Sequence, residues 1–154
     1  MSDGRLVVVP CGTAKLWANN PHAGPTPARA AYVSPYFRNN LHYAETFGDA
    51  CCILSAKYGF IAPDFVIPEA YEVTFKRKAT KPITPAQLAD QVRHQHLERF
   101  ALVEVLAGSD YASSVRAAFR HSSVRISCPL EGFRLGEGWQ RVNRALAAGR
   151  PLSV

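Results

Sequence analysis

The chain is short of negative charge. It has 12 Asp and Glu against 18 Lys and Arg, and among its other scarce residues are one methionine and four cysteines. No run of 18 apolar residues is present, so the sequence offers no transmembrane helix. Residues 6–10 are too short an apolar stretch for the core of a secretion signal. The cysteines, Cys11, Cys51, Cys52 and Cys128, form no C-x-x-C pair, and the five histidines form no H-E-x-x-H pattern, which argues against zinc or another resident metal. Ser34, Ser55 and Ser109 lack a G-x-S-x-G frame, so a hydrolase triad is disfavoured. The P-loop spacing is absent too. There are no repeats and no low-complexity tails. These absences lead to the expectation of a cytoplasmic protein with reduced thiols, no membrane partner, no metal and no cofactor.

What remains is a chain rich in core-forming residues. At 154 residues, 47% apolar and 19% charged, residues 1–154 read as a single domain with a substantial core. The net charge of +6 points to a polyanionic partner. Lys76, Arg77, Lys78 and Lys81 form one basic stretch. Arg93, His94 and His96 form another, and Arg116, Arg120 and His121 lie on an expected helix.

Residues 6–9 are Leu-Val-Val-Val, the mark of a strand buried on both faces. The Asn-, Pro- and Gly-rich residues 18–27 read as a loop. A helical turn is expected over 27–31 and a helix over 35–47, where Phe37, Leu41, Ala44 and Phe47 recur at helical spacing. Further strands are expected over 51–54, 101–106 and 124–128, and further helices over 84–100, 111–120 and 139–148. Thr84, Pro85 and Gln87 carry the signature of a capping box. Residues 60–68, with two prolines, read as an extended excursion, and 71–75 as a short edge strand or a lid. The resulting order implies a three-layer α/β/α domain with a mainly parallel central sheet.

Four loops that follow these strands hold the unusual residues. They are Cys11-Gly12-Thr13-Ala14-Lys15, Ser55-Ala56-Lys57-Tyr58-Gly59, Gly108-Ser109-Asp110-Tyr111 and Pro129-Leu130-Glu131-Gly132. Carboxyl ends of parallel strands share one edge, where ligands bind. Cys11, Lys15, Ser55, Lys57, Asp110 and Glu131 are therefore expected around one cleft. Glycine permits close backbone approach, the lysines suit an anion, and Tyr58 suits stacking on a base. Asp64, Glu69, Glu72, Asp110 and Glu131 are the carboxylates available as a general base or to stabilise an oxocarbenium ion.

Ile53 to Gly59, followed by Pro63, Ile67-Pro68 and Tyr71-Glu72 and preceded by Cys11-Gly12, Lys15 and Ser34-Pro35-Tyr36-Phe37, resembles a family of largely uncharacterised bacterial and phage proteins. That family is distantly similar to the peroxide-stress protein YaaA and neighbours the uracil-DNA glycosylase superfamily. The resemblance covers residues 6–75 well. In addition, Asn20-Pro21-His22-Ala23-Gly24-Pro25 is similar to the glycosylase loop that places the water-activating residue, which puts Asn20 among the catalytic candidates.

The resemblance implies a DNA glycosylase that excises a modified base, in phage defence or the response to DNA damage. Its partner would be duplex DNA with a flipped base. Tyr36, Tyr58 and Tyr71 would wall the pocket. Ser34, Ser55 and the amides of Gly12, Thr13 and Gly59 would read the base edge. Glu72 would stabilise the sugar cation or activate water, and Lys15 or Lys57 would neutralise the leaving base or hold a phosphate. The alternatives are a non-catalytic nucleic-acid or nucleotide-binding stress or defence protein, and a nucleoside N-ribosyl hydrolase or transferase acting on a small molecule.

Overall fold

In the computed structural model, which describes residues 4–153, Leu6 to Val9 are fully buried within strand β1 (Arg5–Pro10). Val7 and Val9 enter one hydrophobic cluster, and Leu6 and Val8 the other. This is the two-residue alternation of an extended chain between two helical layers. The same alternation separates the neighbouring thiols: Cys51 packs against the first cluster and Cys52 lies in the second. All four cysteines are free.

After β1 the chain forms β2 (Thr26–Pro27), α1 (Ala28–Ala31), α2 (Pro35–Phe47), β3 (Ala50–Ser55), β4 (Gly59–Ile61) and β5 (Val66–Ile67). Then come α3 (Pro85–His94), β6 (Leu102–Val105), α4 (Ser109–Ala118), β7 (Arg125–Ser127) and α5 (Leu135–Ala148). The main sheet has the order β4-β3-β1-β6-β7, and β2 pairs with β5 in a separate ribbon. Strands β3, β1, β6 and β7 are parallel and β4 is antiparallel to β3. Phe37, Leu41 and Tyr43 of α2 and Val142 of α5 cover one face, with α1 beside them. Leu88 and Val92 of α3 and Val115 of α4 cover the other. The domain is therefore a three-layer α/β/α sandwich with a mainly parallel sheet.

The local signals explain most element starts. Ser34 caps α2 by accepting the Tyr36 N–H at 3.2 Å, with Pro35 at the first helical position. Thr84 and Gln87 exchange the two bonds of a capping box at 3.1 and 2.9 Å, satisfying two donors that a helix start leaves open. Elsewhere the boundaries move. Helix α3 stops at His94, short of residue 100, because His96 adopts a left-handed φ of 55°. Helix α4 starts at Ser109 with Gly108 as its cap, which places Asp110 inside the first turn. Helix α5 begins at Leu135, four residues ahead of Trp139, where Glu137 accepts the Arg134 N–H at 3.0 Å. Residues 71–75 form no strand, and β4 adds an antiparallel edge within the expected excursion.

A buried ion pair fastens the sheet to residues near the chain's end. Glu104 is fully buried on β6, 3.1 Å from the Arg5 guanidinium, and accepts the Tyr43 hydroxyl at 2.7 Å. Tyr43 in turn accepts the Leu152 N–H at 2.7 Å, and Arg5 donates to the Ser153 carbonyl at 2.7 Å. Among the described residues no helix is long and apolar enough to cross a membrane.

From β1 the chain moves to β3 on one side, then crosses to β6 on the other. The order thus reverses between β1 and β6, and a ligand crevice belongs at their carboxyl ends.

Candidate functional site

The Cys11 N–H, just past the end of β1, bonds the Leu54 carbonyl of β3 at 3.2 Å. Gly12 follows with a φ of +75°, a turn that L side chains resist. The chain then runs beside residues 32–34. Lys15 bridges to Tyr32, and the Val33 N–H reaches the Ala14 carbonyl at 3.1 Å. A Cβ on Gly12 would stand 3.9 Å from that of Ser34.

The second turn is the tip of a hairpin, because Ser55 pairs with Gly59 across β3 and β4. Ser55 Oγ is buried and accepts the N–H groups of Lys57 and Tyr58 at 3.2 and 3.1 Å. Gln91 of α3 clamps the outgoing strand. It donates to the Tyr58 carbonyl at 2.9 Å and accepts the Phe60 N–H at 2.8 Å.

Residues 68–83 complete the site as a strap over the strand ends. Tyr71 meets Ser55 at 2.9 Å. Phe75 stands edge-on to Tyr111, the third residue of α4, at 5.2 Å. The Ile83 N–H then returns to the Ala56 carbonyl at 2.7 Å. Lys76, Arg77, Lys78 and Lys81 are exposed along the strap.

Tyr71 is the centre of this arrangement. Its hydroxyl bonds both Tyr32 and Ser55. Over its ring lie two ammonium groups, Lys15 Nζ at 4.5 Å and Lys57 Nζ at 5.5 Å from the centroid. Tyr58 stands edge-on to it at 5.4 Å, and the partly exposed Phe65 continues the aromatic wall at 5.3 Å from Tyr58. Cys11 Sγ lies 3.5 Å from the Tyr111 hydroxyl. Burial, and after it the neighbouring Cys11, pushes the Tyr71 phenol up to about 12. The same two causes raise Tyr32 and Tyr111 further. The phenols therefore stay neutral and serve as hydrogen-bonding groups. Among the described residues neither lysine forms an ion pair with a carboxylate. The amino ends of α4 and α5 follow β6 and β7 to this edge, that of α2 borders the Gly12 turn at Ser34, and all add partial positive charge. The result is a cationic, aromatic cluster at the strand ends, whose chemistry suits an anion that carries an aromatic ring.

Cys11, Gly12, Lys15, Ser55, Lys57 and Tyr58 thus come together, with Thr13 exposed on the first turn. Ser34 borders the Gly12 turn, but its hydroxyl is engaged in capping α2. Tyr36 turns toward Trp139 of α5, edge-to-face at 5.0 Å. Gly59 serves the hairpin: its φ is +78°, and a Cβ there would lie 2.1 Å from Gln91 Oε1. Glu72 is exposed next to Tyr71 and makes no hydrogen bond among the described residues. Asn20 is exposed in a backbone turn, its N–H on the Leu16 carbonyl at 3.0 Å. Asp110 is exposed on α4. Glu131 pairs with Arg116 at 2.8 Å, which holds its carboxyl below the usual range. Its loop follows β7, three strand spacings from β3, about 14 Å. Asp110 and Glu131 share the edge without joining the lysine–tyrosine cluster.

Sequence reasoning missed Tyr32, Gln91 and Trp139. Tyr32 sits in an Ala-Ala-Tyr-Val stretch that reads as core, and nothing local marks Gln91 as the clamp of a hairpin. Trp139 marked the expected start of the last helix and carried no further signal.

Residues 6–144 match a family of unknown function, DUF6884. The chain is 38% identical over 147 residues to the uncharacterized protein YfjM of Bacillus subtilis, covering 92% of this chain and 95% of that protein. No solved structure matches it.

Proposed function

The chain belongs to the family of unknown function DUF6884, and we propose that it is a cytoplasmic DNA glycosylase that draws a modified nucleotide out of DNA and cleaves its N-glycosidic bond. One observation carries the reading: Lys15 and Lys57 converge on the face of Tyr71 without a carboxylate partner among the described residues. A phosphate beside a base is the ligand that most directly uses both features. Support also comes from the exposed cations of the strap, the net charge of +6, and the sequence resemblance to proteins that neighbour the uracil-DNA glycosylase superfamily.

In the reaction the bond between C1′ and the base nitrogen breaks, and its electron pair leaves with the base. A lysine ammonium at the departing base lowers the energy of that anion. Water adds to C1′, and its proton passes to a carboxylate. Glu72, one residue from Tyr71, is the carboxylate in sequence reach. A second reading, a nucleotide-binding protein without catalysis, is favoured by a specific observation: no carboxylate among the described residues hydrogen-bonds the cluster.

The test is incubation with DNAs carrying modified bases, followed by mass spectrometry for released base and an assay for abasic sites. Lys15→Ala and Lys57→Ala should weaken DNA binding. Glu72→Gln should slow base release by about 10²–10⁴-fold while binding persists. Binding without release, across a panel of modified bases, rejects the glycosylase in favour of the binder. Unchanged release by Glu72→Gln moves the role to Asn20, Asp110 or Glu131.

A further inference from the structure

The Cys11–Lys15 turn and residues 32–36 run side by side, and the chemistry differs at their two ends. At the Lys15 end, paired with Tyr32, lies the lysine–tyrosine cluster. At the other end Gly12 abuts Ser34, and Ser34 holds the Tyr36 backbone. There Tyr36, at the second position of α2, meets Trp139, in the second turn of α5, with ring centroids 5.0 Å apart and planes at 76°. Both rings are half-buried, not enclosed in the core. In an edge-to-face pair one ring presents its edge, so its own faces are not consumed by the contact. The amino ends of two long helices flank the pair, and both favour negative charge. Arg38 and Arg134 stand exposed on the same helix starts. Gly12 and Lys15 are three residues apart, so the two ends of the turn lie at most about 10 Å from each other, within reach of a phosphodiester-linked neighbour.

We propose that Tyr36 and Trp139 form a second base-stacking subsite, which receives the nucleotide adjoining the one held at Lys15 and Lys57. The inference rests on the nucleotide reading of the lysine site. It adds where the strand's neighbouring nucleotide sits, and that Trp139 contacts it. A ring face accepts any base, so the subsite sets strand length and register without sequence preference.

Binding of thymidine monophosphate and of a thymidine trinucleotide would be compared for the wild type, Trp139→Ala and Trp139→Phe. Trp139→Ala should weaken the trinucleotide about tenfold or more and leave the mononucleotide unchanged, and Trp139→Phe should restore most of the loss. Trp17 is buried and donates to the Ala23 carbonyl, so Trp139 is the tryptophan a ligand can quench. The trinucleotide should quench wild-type emission strongly and that of Trp139→Phe little, a readout that survives if the alanine variant fails to fold. If both ligands weaken equally in Trp139→Ala, or the trinucleotide binds all three proteins alike, the subsite is rejected while the lysine site stands. If neither ligand binds the wild type, the nucleotide reading falls and takes the subsite with it.

Discussion

Gly59 and Gln91 constrain each other. The glycine has a φ of +78°, and a methyl group there would stand 2.1 Å from the amide oxygen that receives the Phe60 N–H. Gly59→Ala therefore combines backbone strain with a displaced clamp, at a cost of about 2–4 kcal/mol. Urea denaturation measures it. Adding Gln91→Ala should cost less than the sum of the two single changes, because the clash is already gone. Tyr71→Phe is a milder change of a different kind. It keeps the ring beneath the two lysines and removes the hydroxyl shared by Ser55 and Tyr32. Stability should fall by about 1–3 kcal/mol, while nucleotide affinity stays within a few-fold of wild type. A large affinity loss in a folded Tyr71→Phe protein would mean that the hydroxyl itself touches the ligand.

Among the elements, the strap over residues 68–83 does two jobs with separate residues. Tyr71 and Phe75 face the strand ends and fix its course, while Lys76, Arg77 and Lys78 face solvent. Charge reversal at those three cations should leave the melting temperature nearly unchanged, since exposed charges away from ion pairs contribute little. DNA binding should weaken alike for all sequences. The slope of log affinity against log salt should become shallower by roughly 0.9 for each phosphate that the variant no longer neutralises. A slope that does not change would separate the strap from the binding surface. The hairpin β3–β4 is the other decisive element, because it projects Lys57 and Tyr58 at a fixed angle where an ordinary connection to a helix would leave them on a longer loop.

For the whole molecule, buried phenols set the response to alkaline pH. Burial raises Tyr32, Tyr43, Tyr71 and Tyr111 above the ordinary phenol value. A raised value means that the folded state keeps its proton while the unfolded chain releases it. The stabilisation is therefore complete below pH about 10 and is lost as pH rises, for Tyr71 between about 10 and 12. The urea midpoint should begin to fall above pH about 9, where the unfolded chain releases protons that the Cys51, Cys52 and Cys128 thiols retain in the fold, and should fall more steeply beyond about 10. A midpoint flat to pH 11 would show that these phenols ionise as freely as exposed ones. The buried Arg5–Glu104 pair gives a second global handle. Glu104→Ala leaves a guanidinium without its partner and should cost about 3–5 kcal/mol, measured by the same titration.

The linear pattern of residues determined the class of fold and one edge of its chemistry. The Val-rich run of β1, the capping box at Thr84, and the paired cysteines on opposite faces are local signals, each decided by residues one to four positions apart. For the same reason the strand-end location of Lys15 and Lys57 was readable, since a parallel sheet puts successive carboxyl ends together. Tertiary structure decided what surrounds those lysines. Tyr32 and Tyr71 are 39 residues apart, and Cys11 and Tyr111 are 100 apart. No spacing rule links such pairs. The antiparallel β4 was hidden because Gly-Phe-Ile is too short to show a period, and it exists because β3 offers an open edge and Gln91 clamps the turn. Glu72, Asp110 and Glu131 were equivalent carboxylates in the sequence. Packing left Glu72 exposed beside Tyr71 and Asp110 exposed on α4, and it turned Glu131 toward Arg116, because a charged group takes the nearest partner or solvent that spares it burial.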